Sequence, residues 1–320
     1  MTQRPEDLVE LLPGADRFLA REEAVAGDPA RRQGLVLVHD VAGDFDAASA
    51  GAMAGSHLLA GLRHEVIARF DADALVDYRA HRPRITFSGD RYETFLAPEI
   101  QLYAVEDDGG TPFLLLHGAE PDYQWERFAA AVTQLVERLG VTRVLALQAI
   151  PMPVPHTRPV TVTAHATRRA LIAQYPVYWG EMRIPGSVAA LLEIRLGEAG
   201  VDALGVAAHV PHYLSQATYP AASLTLLEHL EQLTGLHVPT ESLREAAEAH
   251  RTEVDEQIAR STENTAVVAA LEQQYDAFTT ARENSDLLST EGAVPTAEEI
   301  GAEFERFLAD QDRKHPRGGE

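Results

Sequence analysis

The sequence predicts an α/β protein, a three-layer α/β/α sandwich with a C-terminal helical extension, and three observations predict it. Apolar runs without alternation recur at residues 35–38, 113–116, 144–147 and 200–209, as expected of strands covered by helices on both faces. Between them lie segments with helical spacing of apolar side chains, clearest in Trp125, Phe128, Val132, Leu135 and Val136. From Thr240 onward the pattern changes to one long helical stripe without strand signals.

The elements follow in order. Residues 1–33 are charged and interrupted by Pro5, Pro13 and Pro29, a lead-in with one short strand. The core, 34–239, opens on the strand at 35–38; Gly43 permits a sharp turn, and Asp44 or Asp46 can accept from the free N–H groups of the next helix. That helix is small-sided, with Ala47, Ala48, Ala50, Gly51, Ala52, Ala54 and Gly55. Gly in a helix costs about 1 kcal/mol relative to Ala, so close packing, within the sandwich or against another subunit, is the expected compensation. Strands are predicted at 64–70, 85–87, 92–96, 100–105 and 112–117, the last two joined by Asp107-Asp108-Gly109-Gly110, a meander that gives the sheet an antiparallel part. A helix to Leu139 is closed by Gly140; the strand at 144–147 leads to a loop, 151–159, with four prolines. A strand at 160–163, helices at 168–174 and 187–199, the strand at 200–209 and a helix from Pro220 to Gly235 complete the core. Residues 240–283 read as a helical hairpin or one long helix, with poor seam residues at Ser261 and Thr265. Residues 284–320 read as an acidic tail with a short helix through Ile300, Phe304 and Leu308 and a disordered end.

Composition excludes several classes. With 49 acidic against 27 basic side chains the net charge is −22, which repels nucleic acid and anionic membranes. There is no cysteine, so disulfides, thiolate nucleophiles and cysteine metal sites are out and a reducing cytoplasm is the expected compartment. The N-terminus lacks the basic-then-apolar run of a secretory signal, and no stretch has the length of a membrane span.

Ligands of doubly covered sheets bind beyond the C-terminal ends of strands. Here those ends carry His39 and Asp40, His117 and Glu120, Gln148, and His209 with His212. If the four strands run the same way, these groups share one rim and can support acid–base chemistry; alternatively each is a capping or loop residue with local bonds. No phosphate loop, GxGxxG or GxSxG is present, and His209 and His212 lack metal-site spacing. No cofactor and no metal is expected. Arg158, in a loop bounded by prolines, can grip an anion or tie the loop to the body.

Several segments together resemble the actinobacterial branch of the proteasome assembly chaperone 2 family: Asp77-Tyr78-Arg79 with Arg82-Pro83, Glu120-Pro121 with Trp125, His156-Thr157-Arg158-Pro159, and His209-Val-Pro211-His212-Tyr213. The likeness runs over residues 34–280. It implies an α/β/α core similar to nucleoside phosphorylases and hydrolases, self-association, helices after the core, and proteasome core subunits as partners. Some such chaperones end in a hydrophobic-Tyr-X tail; this sequence ends Arg317-Gly-Gly-Glu320. The leading expectation is a non-enzymatic, cytoplasmic, homo-oligomeric (trimeric) assembly chaperone or interaction protein that binds neither nucleic acid nor membrane. The alternative is a small-molecule enzyme of the nucleoside phosphorylase or hydrolase type using His39, Asp40, Glu120, His156 and His209.

Overall fold

The computed structural model describes residues 4–24, 34–41, 43, 46–177 and 180–288. Residues to Val267 form one compact unit and those from Val268 a second.

In the first unit the strands are β1 (Val9–Leu11), β2 (Leu35–His39), β3 (Arg63–Phe70), β4 (Ile85–Ser88), β5 (Arg91–Phe95), β6 (Ile100–Glu106), β7 (Pro112–Gly118), β8 (Val141–Met152), β9 (Val162–Ala166) and β10 (Asp202–Pro211). All but β4 and β5 form one mixed sheet in the order β1-β3-β6-β7-β2-β8-β10-β9. Its middle four strands, β7, β2, β8 and β10, are parallel, and β1, β3, β6 and β9 pair antiparallel around them. The unalternating apolar runs are these central strands: Val38, Leu114, Leu115, Leu145, Leu147 and Val206 are wholly buried.

Helices cover both faces. On one lie α2 (Ala50–Gly61), α6 (Pro220–Thr234) and α7 (Glu241–Ala259), packed on Val36, Val38, Leu145, Leu147 and Val206. On the other lie α1 (Pro13–Ala24), the single turn α3 (Ala72–Leu75), α4 (Trp125–Arg138) and α5 (Val188–Glu198), packed on Leu37, Leu114, Leu116 and Val144. The C-terminal stripe is interrupted at residues 260–261, where α7 ends; α8 (Thr262–Leu288) begins in the first unit, and its residues from Val268 are the described part of the second. No helix among the described residues is long and apolar enough to cross a membrane.

Three local expectations change. The lead-in contains α1, because Pro13 at the first helical position loses no hydrogen bond there. Residues 168–174 form only a 3-10 turn, Arg169–Ile172. Pro151 and Met152 belong to β8, whose C-terminal end pairs with β10. Asp44, most of the 284–320 tail and the Arg317-Gly-Gly-Glu320 end lie outside the described residues.

Candidate functional site

The four parallel strands do present their C-terminal ends on one rim, but side chains alternate across a strand, and the pleat sends consecutive residues to opposite layers. On β2, Leu37 and Val41 pack on the α4–α5 side and Val36 and Val38 on the α2–α6 side. His39 therefore faces the first layer and Asp40 the second.

Beneath α2, Asp40 Oδ2 lies 2.6 Å from His117 Nδ1. Asp40 is 1% exposed, and among the described residues its Oδ1 has no hydrogen-bond partner. Burial raises its pKa, against the bond and charge of His117. Burial pulls His117 down, but the Asp40 bond and charge outweigh it and the net shift is upward. The pair therefore retains a shared proton to higher pH than either group alone. Asp46 stands nearby, accepting from the N–H of Gly51 (2.7 Å) and Ala52 (3.0 Å) at the start of α2. Burial pushes it up to about 6 against those N–H groups. The small side chains of α2 are needed here: a Cβ on Gly55 would stand 1.8 Å from Asp40 Oδ2, and one on Gly51 2.6 Å from the Leu147 carbonyl oxygen.

In the other layer His39 is 3% exposed with an unpartnered Nδ1; burial, then the charge of His165, lower it to about 4. His165 on β9 sits between Glu193 Oε2 of α5 (2.6 Å) and Gln148 Oε1 of β8 (3.1 Å). His209 is held by the hydroxyls of Thr161 (2.9 Å) and Thr163 (2.8 Å) and lowered to about 4 by burial. One Thr hydroxyl can donate while the other accepts, so the pair suits the neutral ring.

The remaining residues singled out in the sequence serve as fasteners. Glu120 accepts from Gly43 N–H (3.0 Å) and Val188 N–H (2.8 Å), joining the turn after β2 to the start of α5. The Trp125 indole donates to the Pro121 carbonyl (2.7 Å). Asp77 N–H donates to Asp122 Oδ2 (2.6 Å), Asp77 Oδ1 accepts from Arg79 N–H (2.8 Å), and Tyr78 bonds Asp73. Arg82 and His212 are exposed, Pro83 half-buried, and Pro211 buried at the end of β10. His156 is 5% exposed: its N–H donates to Tyr213 Oη (2.9 Å), its Nδ1 accepts from that hydroxyl (2.7 Å), and its Nε2 reaches Asp255 of α7 (3.0 Å). Thr157, Arg158 and Pro159 line an open groove of about 500 Å³ with Tyr219 and Leu224 of the α6 region and Arg244 of α7.

Thus Asp40 with His117 forms one cluster, His39 with His165 another, and Glu120, His156 and His209 stand apart in separate bonding sets. Among the described residues no group of three or more His, Asp or Glu is placed to hold a metal ion. His165, Glu193 and Asp255 join these sets without any local sequence signal, since each acts through a partner at least 17 residues away.

The decisive comparison is with families. A model of the PAC2 family matches residues 41–258. The chain belongs to the PAC2 family. The segments that suggested it, from Asp77 to Tyr213, lie inside that match. Among solved structures, the protein of unknown function Rv2714 from Mycobacterium tuberculosis is 44% identical, over 88% of this chain and 92% of its own, at a TM-score of 0.78. A PAC2 family protein from Streptomyces avermitilis is 31% identical over 73% of this chain and 99% of its own, at 0.65. The proteasome-assembly chaperone homologue Rv2125 from M. tuberculosis is 29% identical over 73% of this chain and 100% of its own, at 0.68. No curated protein matches the chain.

Proposed function

We propose that this PAC2 protein is a non-enzymatic assembly chaperone or interaction protein, homo-oligomeric and cytoplasmic, with proteasome core subunits as partners. The observation that carries the reading is the likeness to Rv2125, a proteasome-assembly chaperone homologue, which is covered over its full length. The internal bonding of the family segments supports it. Glu120 and His156 join loops after β7 and β8 to α5 and α7, and Asp77, just after α3, joins the 120–125 turn, so they shape a stable body and its surface rather than converge on a substrate.

The test mixes the full chain with α and β proteasome subunits from the same source and follows core-particle formation by native gel and sedimentation. The expected result is a complex with subunit or half-assembled intermediates and a changed assembly rate. Absence of binding together with an unaltered rate overturns the reading.

A further inference from the structure

We propose that the β4–β5 hairpin is a self-association arm that docks on the acidic, apolar surface at the start of α4 and α5 of a second copy. This rests on the homo-oligomer part of the reading above and names its surface.

The hairpin stands outside the main sheet. Its register pairs Ile85 with Phe95 and Phe87 with Tyr92, with one extra residue on β5 between those pairs. Ile85 and Phe87 are two apart on one strand and thus share a face, and their partners lie on it too, while Thr86 and Thr94 occupy the other. All four apolar residues are more than half exposed, Tyr92 at 76%. Phe87 meets Tyr92 ring edge to face at 5.1 Å, and Phe95 meets Tyr78 at 6.4 Å, so the face is preorganised. A two-stranded hairpin is marginal alone, and a contiguous exposed apolar face of this kind marks an interaction site.

Charge selects the occupant. Residues 79–96 carry Arg79, Arg82, Arg84 and Arg91 against Asp90 and Glu93, a local positive excess in a chain of net charge −22. The arm therefore complements the body of its own kind. The body also offers a matching surface: Tyr123, Met182 and Ile184 are each more than half exposed. A Cβ on Gly186 would stand 3.8 Å from the Trp125 ring, and Val188 N–H donates to Glu120, so the 182–186 segment leads to the start of α4 and α5. Asp122, Glu126 and Glu181 lie in these same segments with Arg183, Glu126 paired to Arg195 and Asp122 to His81. An arm and a complementary patch on one chain give association between copies.

The natural absence of cysteine makes the test direct. One preparation of the full chain carries Tyr92→Cys and another Met182→Cys; they are mixed and treated with a short bismaleimide. Sedimentation of the wild type and of Phe87→Ser/Tyr92→Ser is measured over a concentration series. Expected are a cross-linked pair in the mixture and an association constant weakened about 100-fold in the double variant, with the melting temperature of the dissociated chain unchanged. Arg82→Glu/Arg84→Glu should weaken association and reduce its salt sensitivity, and it covers the case in which the first variant misfolds. A wild type that is monomeric at its highest soluble concentration overturns the proposal. So does an oligomer that persists in both variants without the cross-link. Proteasome assembly is scored separately, so a failed arm with intact assembly activity, or the reverse, is recognised.

Discussion

The two sides of one sheet, at the same strand ends, treat protons in opposite ways. Under α2, Asp40, His117 and Asp46 all hold protons to higher pH than usual. Under α5, His39 and His209 give them up well below the usual imidazole range. Burial disfavours whichever form is charged, so it raises Asp40 and Asp46 on one side and lowers His39 and His209 on the other; His117 is the exception, pulled down by burial but raised overall by the bond and charge of Asp40. His39 and Asp40 are sequence neighbours, so a single pleat separates the two regimes. A strand-end cluster read along the sequence thus separates in space into Asp40 with His117, His39 with His165, and Glu120, His156 and His209 in bonding sets of their own.

The strongest way to break this arrangement is at the helix that closes the α2 side. Gly55→Leu places a side chain where Asp40 Oδ2 now lies. Overpacking usually costs about 1–3 kcal/mol, and loss of the Asp40–His117 contact adds to it, so a destabilisation of at least about 3 kcal/mol is expected. Gly51→Leu, facing the β8 backbone, should behave similarly. Urea denaturation checks both, and an unchanged midpoint would show that α2 can shift without cost.

Next comes the pair itself. His117→Ala removes the Oδ2–Nδ1 bond of buried Asp40, at a cost of about 3 kcal/mol. Asp40→Asn is the sharper variant. His117 has its folded-state pKa raised by Asp40, so its contribution is full below its ordinary value of 6.5 and is lost as pH rises through the folded value. With Asn in place, burial alone acts on the ring. NMR titration should then show the His117 midpoint moving downward; a midpoint that stays raised would mean Asp40 is not its cause.

Much of the fold was legible because burial on both faces leaves a local trace. The runs at Leu35–His39 and Pro112–Gly118 became central strands, and the spacing from Trp125 to Val136 became α4. The meander that suggested an antiparallel part became β6 against β7. The site was less legible. The alternation of His39 and Asp40 follows from the period of a strand, but their partners do not: His165 reaches Glu193 across β9 and α5, and His156 reaches Asp255 from 99 residues away. Such pairs exist only once the layers are stacked. The segment from Arg168 reads as a helix by composition, yet Arg168 is drawn to Asp202 at 2.8 Å and only a 3-10 turn follows.

The α5 side is probed by acid. His39 has a folded pKa of about 4 against 6.5 unfolded, so the native state binds fewer protons between those values. Its contribution is full above pH 6.5 and is lost as pH falls toward 4. Asp46, at about 6 against 3.8, acts oppositely and gains as pH falls through that range. His39→Gln should therefore lose about 2 kcal/mol less than wild type between pH 6.5 and about pH 5. Parallel stability curves with the same slope in wild type and variant would remove His39 from the acid response and leave His209 to account for it.

The smallest effect on the stability of a single chain is expected at the hairpin, which extends the contrast from two buried layers to a buried and an exposed region. Phe87 and Tyr92 are large and apolar like the residues beneath α2, yet they are 59% and 76% exposed, so little area returns to water when they are shortened. Phe87→Ser or Tyr92→Ser should change the unfolding free energy of the dissociated chain by no more than about 0.5 kcal/mol. Removing a comparable ring from the core, as in Phe113→Ala, costs about 3–5 kcal/mol. If the hairpin variants cost as much as the core one in dilute solution, those rings are anchored within their own chain, and the face is structural rather than an exposed arm.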